Sequence, residues 1–407
     1  MSTRIAVIGG GFAGLWSAVS AARARALFNI PEDELEIVLI TPNPFHTIRV
    51  RCYETDLAPV RVPLDDVLTP INVRRIEGQA TRIDLTSRTL AVAGTSREIP
   101  DIGYDRLILA AGSSLARPPI PQAKETFDVD TYEGGQRLAA HLAALARAPG
   151  SDGSGTAVVI GGGLVGVEIA CELPGRLRAA LGADATVRVV LVDHDGIGAG
   201  MGEGRSVVCN ALQALGVEAR PFTTVTAVDA AGVILSTGKH IPAATVVFAT
   251  GMRASSLTRD LGVACDRLGR VPVNRFLEVT GADAIYAAGD CAAARADDIG
   301  HMTVMSCQHA RPMGRVAGHN AVCDIAGRPG ERIPFTAPDY VTILDLGPFG
   351  ALYTAGWERG TVVATGAKAK ATKQIINGAR IYPPRNASRE AIFAAGAPVI
   401  QARPAVE

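Results

Sequence analysis

The chain has 407 residues, 48% of them hydrophobic, and its 40 Lys+Arg balance 40 Asp+Glu, so the formal net charge is zero. At roughly 100–200 residues per domain, that length predicts two or three domains. The apolar fraction excludes a disordered chain, and the charge balance offers nothing to draw it onto nucleic acid. Glycine is in surplus, with 44 residues or about 11% against a usual share of roughly 7%. Without a collagen-like repeat, such a surplus calls for close backbone approach or sharp turns at several places.

The uncharged stretch 5–22 follows Arg4 and has the length of a short membrane helix or a secretory leader. Its three consecutive glycines, Gly9, Gly10 and Gly11, suit a turn instead. A similar pattern recurs at 156–167, deep in the chain. The expectation is a cytoplasmic protein without a membrane span. Seven cysteines, widely spaced and without a C-x-x-C or a histidine-rich cluster, predict neither a disulfide framework nor a metal site.

Residues 4–8, RIAVI, read as a buried parallel strand that runs into Gly9, Gly10, Gly11, Phe12, Ala13 and Gly14, with an alanine-rich helix behind. In a strand–G-x-G-x-x-G–helix unit the first glycine makes the tight turn and the second lets backbone approach a pyrophosphate. The third packs helix on strand, and the helix N-terminus supplies free N–H groups. The second copy is TAVVI followed by Gly161, Gly162, Gly163, Leu164, Val165 and Gly166, 152 residues after the first. Two dinucleotides are implied.

Thr41 and Asp193 each lie 27 positions after the third glycine of their own motif, at the end of the next strand. An acid there accepts hydrogen bonds from an adenosine ribose and repels a 2′-phosphate, so Asp193 favours NADH over NADPH at the second turn. NADPH stays possible, with His194 alongside. Thr41 offers the first turn only a hydroxyl.

Three further strand ends run into small-residue turns: Ala110-Ala111-Gly112, Ala249-Thr250-Gly251 and Ala288-Gly289-Asp290. Together with GGGFAG and GGGLVGVEIACEL, they resemble the motif set of the two-dinucleotide flavoproteins, the pyridine nucleotide-disulfide oxidoreductase superfamily. The resemblance spans residues 3–325 or so. It implies a non-covalent FAD at the first turn, NAD(P)H at the second, and Asp290 bonding the ribityl chain. The implied fold is α/β, with two Rossmann-like dinucleotide-binding domains, the NAD domain inserted in the FAD domain, and a small α+β C-terminal region. Boundaries follow as 1–125 and 265–330 for FAD, 150–264 for NAD(P)H, and 331–407 for a C-terminal interface or dimerisation region.

No cysteine pair at short spacing supports the disulfide reductases. Cys52, in RVRCYETD, stands near the position of a single redox cysteine, where Arg49 and Arg51 could depress a thiol; a helix-face cysteine without chemistry is the alternative. Cys307 and Cys323 lack a partner cysteine near the second nucleotide domain. The resemblance is strongest to type II NADH:quinone oxidoreductases, through PNPFHTIRVRCYETDLA and through CQHARPMGRVAGHN at 307–320. There Gln308, Ala310, Gly314 and Asn320 match, while Cys307 and Pro312 depart. A helix starting near Ser306 would aim its N-terminus at a flavin, with Pro312 expected only in a first turn.

Within that frame Gln308 is the candidate contact to ring or acceptor, and His309 or His301 to deliver protons. Glu168, two residues past the third glycine, and Glu172 one turn later are candidates at the nicotinamide; ordinary charged helix positions are the alternative. Beyond a linker near 327–334, the sequence reads as three short strands and a basic helix over 367–378 carrying Lys368, Lys370 and Lys373. Bulky apolar residues opposite are scarce, which argues for peripheral membrane association at most, at the inner face, and for a dimer or domain interface. The expected activity is NADH to flavin to a second acceptor, a quinone first. The alternatives are a soluble NAD(P)H oxidase or reductase of a small organic or protein acceptor, and a low-turnover redox sensor.

Overall fold

A computed structural model describes residues 3–94, 98–147, 153–400 and 402–406. Helices run over Phe12–Leu27 (α1), Asp65–Leu68 (α2), Tyr132–Leu145 (α3), Leu164–Leu181 (α4), Arg205–Ala214 (α5), Cys307–Ile325 (α6), Gly366–Ile375 (α7) and Arg389–Ala395 (α8). The first sheet orders Ile285–Ala287, Arg106–Leu109, Thr3–Ile8, Leu35–Thr41 and Arg74–Asp84 in parallel. Two antiparallel strands, Thr89–Gly94 and Ile102–Gly103, extend it. The second sheet orders Phe127–Asp128, Thr245–Phe248, Thr156–Ile160, Arg188–Val192 and Val217–Arg220, all parallel.

Each sheet has its glycine-turn strand flanked by the next strand on one side and by a much later one on the other. Two Rossmann-like domains result, the first completed by Ile285–Ala287 after the chain has built the second. The strands read as continuous apolar runs because both faces are covered. Ala157 and Val159 face the core beneath α4, with Val189 and Leu191. Val158 and Ile160 face an antiparallel ribbon over 225–242, with Val190 and Val192.

The sheets divide the chain differently from the expected boundaries. Residue 150 lies outside the described residues, but Phe127–Asp128 already pairs in the second sheet, and α3 lends Leu138 and Leu142 to that core. A two-residue strand has no periodicity to read. At the other end, Met252–Ala254 pairs with Ser113–Leu115, and Leu257 and Leu261 join the first core. The return therefore comes after Gly251 rather than at 265.

Small residues let α1 and α6 nearly touch. A Cβ on Gly314 would collide with the Ala13 carbonyl, and one on Gly318 with that of Ser17. Ser20 Oγ donates to Arg315 O at 2.6 Å across the crossing. Gly314→Leu should force the helices apart at a cost of about 1–3 kcal/mol or more. A thermal melt would read this, and an unchanged midpoint would refute the close packing. Pro312 corrects one expectation: it is the sixth residue of α6, in the second turn. It has no N–H for the Gln308 carbonyl four residues back.

The expected linker at 327–334 is tied down. Asn320 Nδ2 donates to Phe276 O and Ile333 O, while Ile333 N donates to Asn320 Oδ1. The C-terminal region then forms an antiparallel sheet of Val341–Asp345, Ala351–Ala355 and Thr361–Thr365, with α7 behind it. Among the described residues no helix is long and apolar enough to cross a membrane.

Candidate functional site

Both glycine turns have one geometry. Gly9 and Gly161 share φ +109, and a Cβ on either would strike the carbonyl of Ala110 or Ala249. A Cβ on Gly14 or Gly166 would strike the first glycine of its own turn. Gly11 and Gly163, by contrast, have nothing within 4 Å of a Cβ position, so the side open to a ligand is the middle glycine in both. Phe12 and Ala13 begin α1; Leu164 and the exposed Val165 begin α4. The first N–H groups to bond back along these helices are those of Leu15 and Val167, to Gly11 O and Gly163 O, which leaves the three before them in each helix without a helical partner.

Thr41 and Asp193 occupy the equivalent places predicted for them. A Cβ on Gly10 would lie 2.8 Å from Thr41 Oγ1, and one on Gly162 would lie 3.0 Å from Asp193 Cβ. Asp193 also accepts from the N–H groups of Gly162 and Asp195. Its carboxylate is thereby fixed at the strand end, beside the glycine turn. On the first turn His46 Nδ1 meets Gly10 O at 3.0 Å and its ring packs edge-on against Phe12.

Ala111, Gly112, Thr250 and Gly251 sit where the two sheets meet. Gly112 and Gly251 both have positive φ and open Cβ positions. Thr250 Oγ1 donates to Ala116 O at 2.6 Å, which fastens one crossing to the other. The paired strands Ser113–Leu115 and Met252–Ala254 then tie the C-terminal edges of the two sheets to each other. Ligands of open α/β sheets bind at that edge.

Gly289, at φ +71, brings the third turn against the starts of α1 and α6, its Cβ position 2.8 Å from Ala13 Cβ and 3.4 Å from Ala310 Cβ. Asp290 accepts from Ser113 Oγ at 2.5 Å. Burial pushes its carboxyl up, while Ser113 and Arg49 hold it down. Arg49 does lower the Cys52 thiol, as expected, but burial outweighs it, and its direct partners lie elsewhere. It pairs with Asp130 at 2.5 Å, donates to Ser113 and reaches Met252 Sδ, bracing the edge where the sheets meet. Its partners lie 64, 81 and 203 residues away, so no local signal could reveal them. Cys52 is fully buried with its thiol pushed up to about 12, and burial raises Cys307 too; neither is poised as a thiolate.

Gln308, His309 and His301 all have partners within the chain. Gln308 has its amide occupied: Nε2 donates to Asp339 O at 3.0 Å and Oε1 accepts from Val341 N at 3.4 Å. It braces the start of the C-terminal sheet. His309 is buried against Tyr340 and Trp357, which also stack on each other at 5.1 Å, and His301 stacks on Trp357 in turn. Burial pushes its imidazole down to about 4, so it is neutral at physiological pH and not a proton donor. His301, paired with Asp297 at 2.5 Å, stacks on the outer face of Trp357.

Glu168 and Glu172 are not ordinary surface charges. Glu168 is buried, accepts from Asp345 N at 3.1 Å and pairs with Lys373 of α7. Burial raises its carboxyl and Lys373 draws it back. Lys370 pairs with Asp345 at 3.0 Å, so two of the three lysines of the expected basic stripe turn inward and only Lys368 stays exposed. The region expected as an interface packs on its own chain. Between it and the loop after Cys52 lies a cavity of about 380 Å³, lined by Arg51, Tyr53, Glu54, Asp56, Glu172, Asp345, Lys370 and Lys373 among others. Burial and Asp345 both raise the Glu172 carboxyl.

Residues 3–314 match the family described as pyridine nucleotide-disulphide oxidoreductase. An NADH dehydrogenase-like protein of Mycobacterium tuberculosis is 50% identical over 99% of this chain and 100% of its own length. A demethylphylloquinone reductase of Synechocystis is 25% identical, covering 86% of each chain. In fold, the chain is similar to NDH2 of Plasmodium falciparum, solved with NADH, at a TM-score of 0.80 and 13% identity, over 97% of this chain and 98% of that one. The chain belongs to the pyridine nucleotide-disulphide oxidoreductase family and is a flavin- and NAD(P)H-dependent oxidoreductase.

Proposed function

We propose that the first turn holds FAD, that the second holds NADH, and that a quinone is the second acceptor. The observation that carries the reading is the matched pair of cradles, open at Gly11 and Gly163, on two sheets tied together at their C-terminal edges. When both groups are bound, the flavin supplies the redox chemistry, taking hydride from NADH and giving electrons to the acceptor. The residues of the chain bind and orient. Asp193 accepts from the adenosine ribose, Asp290 from the ribityl chain, and the N–H groups at the starts of α1 and α4 take the pyrophosphates. The start of α6 lies beside Gly289, where its unpaired N–H groups favour negative charge.

The quinone rests on the relatives named for it. A hydrophilic acceptor has one observation in its favour, the charged lining of the 380 Å³ cavity over Glu172. Rapid-mixing spectroscopy with NADH, followed by a screen of quinones, oxygen and soluble dyes, separates them. Fast flavin bleaching and reoxidation by quinones is expected. Bleaching without reoxidation would instead mark a low-turnover redox sensor, and purified protein without FAD would sink every version. In the same assay Asp193→Ala should narrow the preference for NADH over NADPH by about tenfold, the worth of one charged hydrogen bond. An unchanged preference refutes the role given to Asp193. The exposed edge strand Thr361–Thr365 is the surface we assign to homodimer contact, which sedimentation would test.

A further inference from the structure

Beside the second glycine turn lies a cavity of about 170 Å³, lined by Gly162, Gly163, Leu164, Gly200, Leu344 and Arg359 among others. Arg359 is the one charged residue of that lining among the described residues. It does not come from the nucleotide-binding sheet. The turn between Ala351–Ala355 and Thr361–Thr365 carries it, in the left-handed conformation at φ +52. That turn packs closely against the cradle. A Cβ on Gly202 would lie 2.5 Å from Glu358 O and 2.6 Å from Arg359 O, so the loop after Asp193 is moulded on it.

The guanidinium is held on three sides. Nη1 donates to Gly200 O at 2.6 Å, Nε to Thr342 Oγ1 at 2.9 Å and Nη2 to the Tyr340 hydroxyl at 3.2 Å. Of its five N–H donors, that leaves two for a ligand. No carboxylate lines this cavity among the described residues, and the first turn of α4 carries no acid. The guanidinium fork matches a phosphate in both charge and geometry, whereas the turn's own N–H groups are neutral.

Resting on the reading that the second turn holds a pyridine dinucleotide, we propose that Arg359 is a cofactor-binding residue, pairing with a phosphate of that dinucleotide. The C-terminal region thus completes the nucleotide site that the second domain begins.

The test uses the flavin-loaded protein and measures NADH, NADPH and ADP-ribose dissociation constants by titration and rapid mixing. Arg359→Gln should weaken binding about 10–100-fold, as expected for losing a hydrogen bond to a charged group, and should flatten the salt dependence. Arg359→Lys should recover part of the loss. Equal losses for NADH and NADPH place the contact on the pyrophosphate, and a loss for NADPH alone places it on the 2′-phosphate. Thr342→Val loosens the clamp but keeps the charge, so it should change binding less than about threefold. If Thr342→Val weakens NADH as much as Arg359→Gln does, or if Arg359→Gln changes nothing, the proposal falls. Wild-type protein that fails to bind NADH would sink the underlying reading instead, before any variant is compared.

Discussion

Lys373→Met is expected to cost the fold about 3–5 kcal/mol near pH 8, because it strands a buried carboxylate. Lys373 and Glu168 are both buried, 205 residues apart, and their pair fastens α7 to α4. With the ammonium gone, the Asp345 N–H remains, and the Asp345 carboxylate nearby makes ionisation of Glu168 harder still. The pH dependence fixes the cause. Burial already raises the Glu168 carboxyl with Lys373 present, and removing Lys373 raises it further. A carboxyl raised on folding holds a proton that the unfolded chain has released. Its penalty is absent below the ordinary carboxylate range, grows as pH rises through that range, and levels off above the folded value. The deficit of Lys373→Met should therefore be small near about pH 5 and large near about pH 8. Adding Glu168→Gln should return most of the loss at high pH, since a neutral amide needs no counter-ion. Equal deficits at both pH values would mean lost packing and refute the electrostatic account. Lys370→Met, on the better exposed pair with Asp345, should cost less.

That pair also marks where the sequence stops speaking. Strand, glycine turn and helix are contiguous, so both cradles, their equivalent strand ends at Thr41 and Asp193 and the three edge turns were readable in order. The C-terminal strands and their turns were readable for the same reason. What could not be read is which way a charged side chain on a helix faces. Lys370 and Lys373 have the spacing of a solvent-facing stripe, and their acids sit 25 and 205 residues away. His309 follows a helix cap as a solvent-facing histidine would, yet Tyr340 and Trp357, far along the chain, bury it. Gln308 matches a family position, but its amide bonds backbone 31 and 33 residues on. Arg49 was legible as a charge and not as a brace, for it is the meeting of two sheets that gives it partners. Local chemistry fixed the cradles; the polar side chains between them depend on contacts that only the folded chain makes.

Gly163→Val should fold normally, keep its flavin and lose NADH. Gly163 has φ −69, which any residue adopts, and nothing lies within 4 Å of its Cβ position. A valine there fits the protein and, on the reading proposed above, occupies the space of the pyrophosphate. Losing contact with two or more helix N–H groups, each worth roughly 1.5–3 kcal/mol to a charged group, predicts at least about 100-fold weaker NADH binding. The melting midpoint should hardly move. Gly161→Val fails the opposite way: at φ +109, with the Ala249 carbonyl in its path, it damages the second domain itself. Gly11→Val is the matching probe for the first turn, open in the same manner at φ −77. It should yield folded protein without FAD. The two open-glycine variants together assign the cofactors without appeal to relatives. If Gly163→Val strips flavin while Gly11→Val spares it, the assignment is reversed. If either variant retains both ligands, the middle glycine is not where the backbone meets a pyrophosphate, and the cradle geometry would need another purpose.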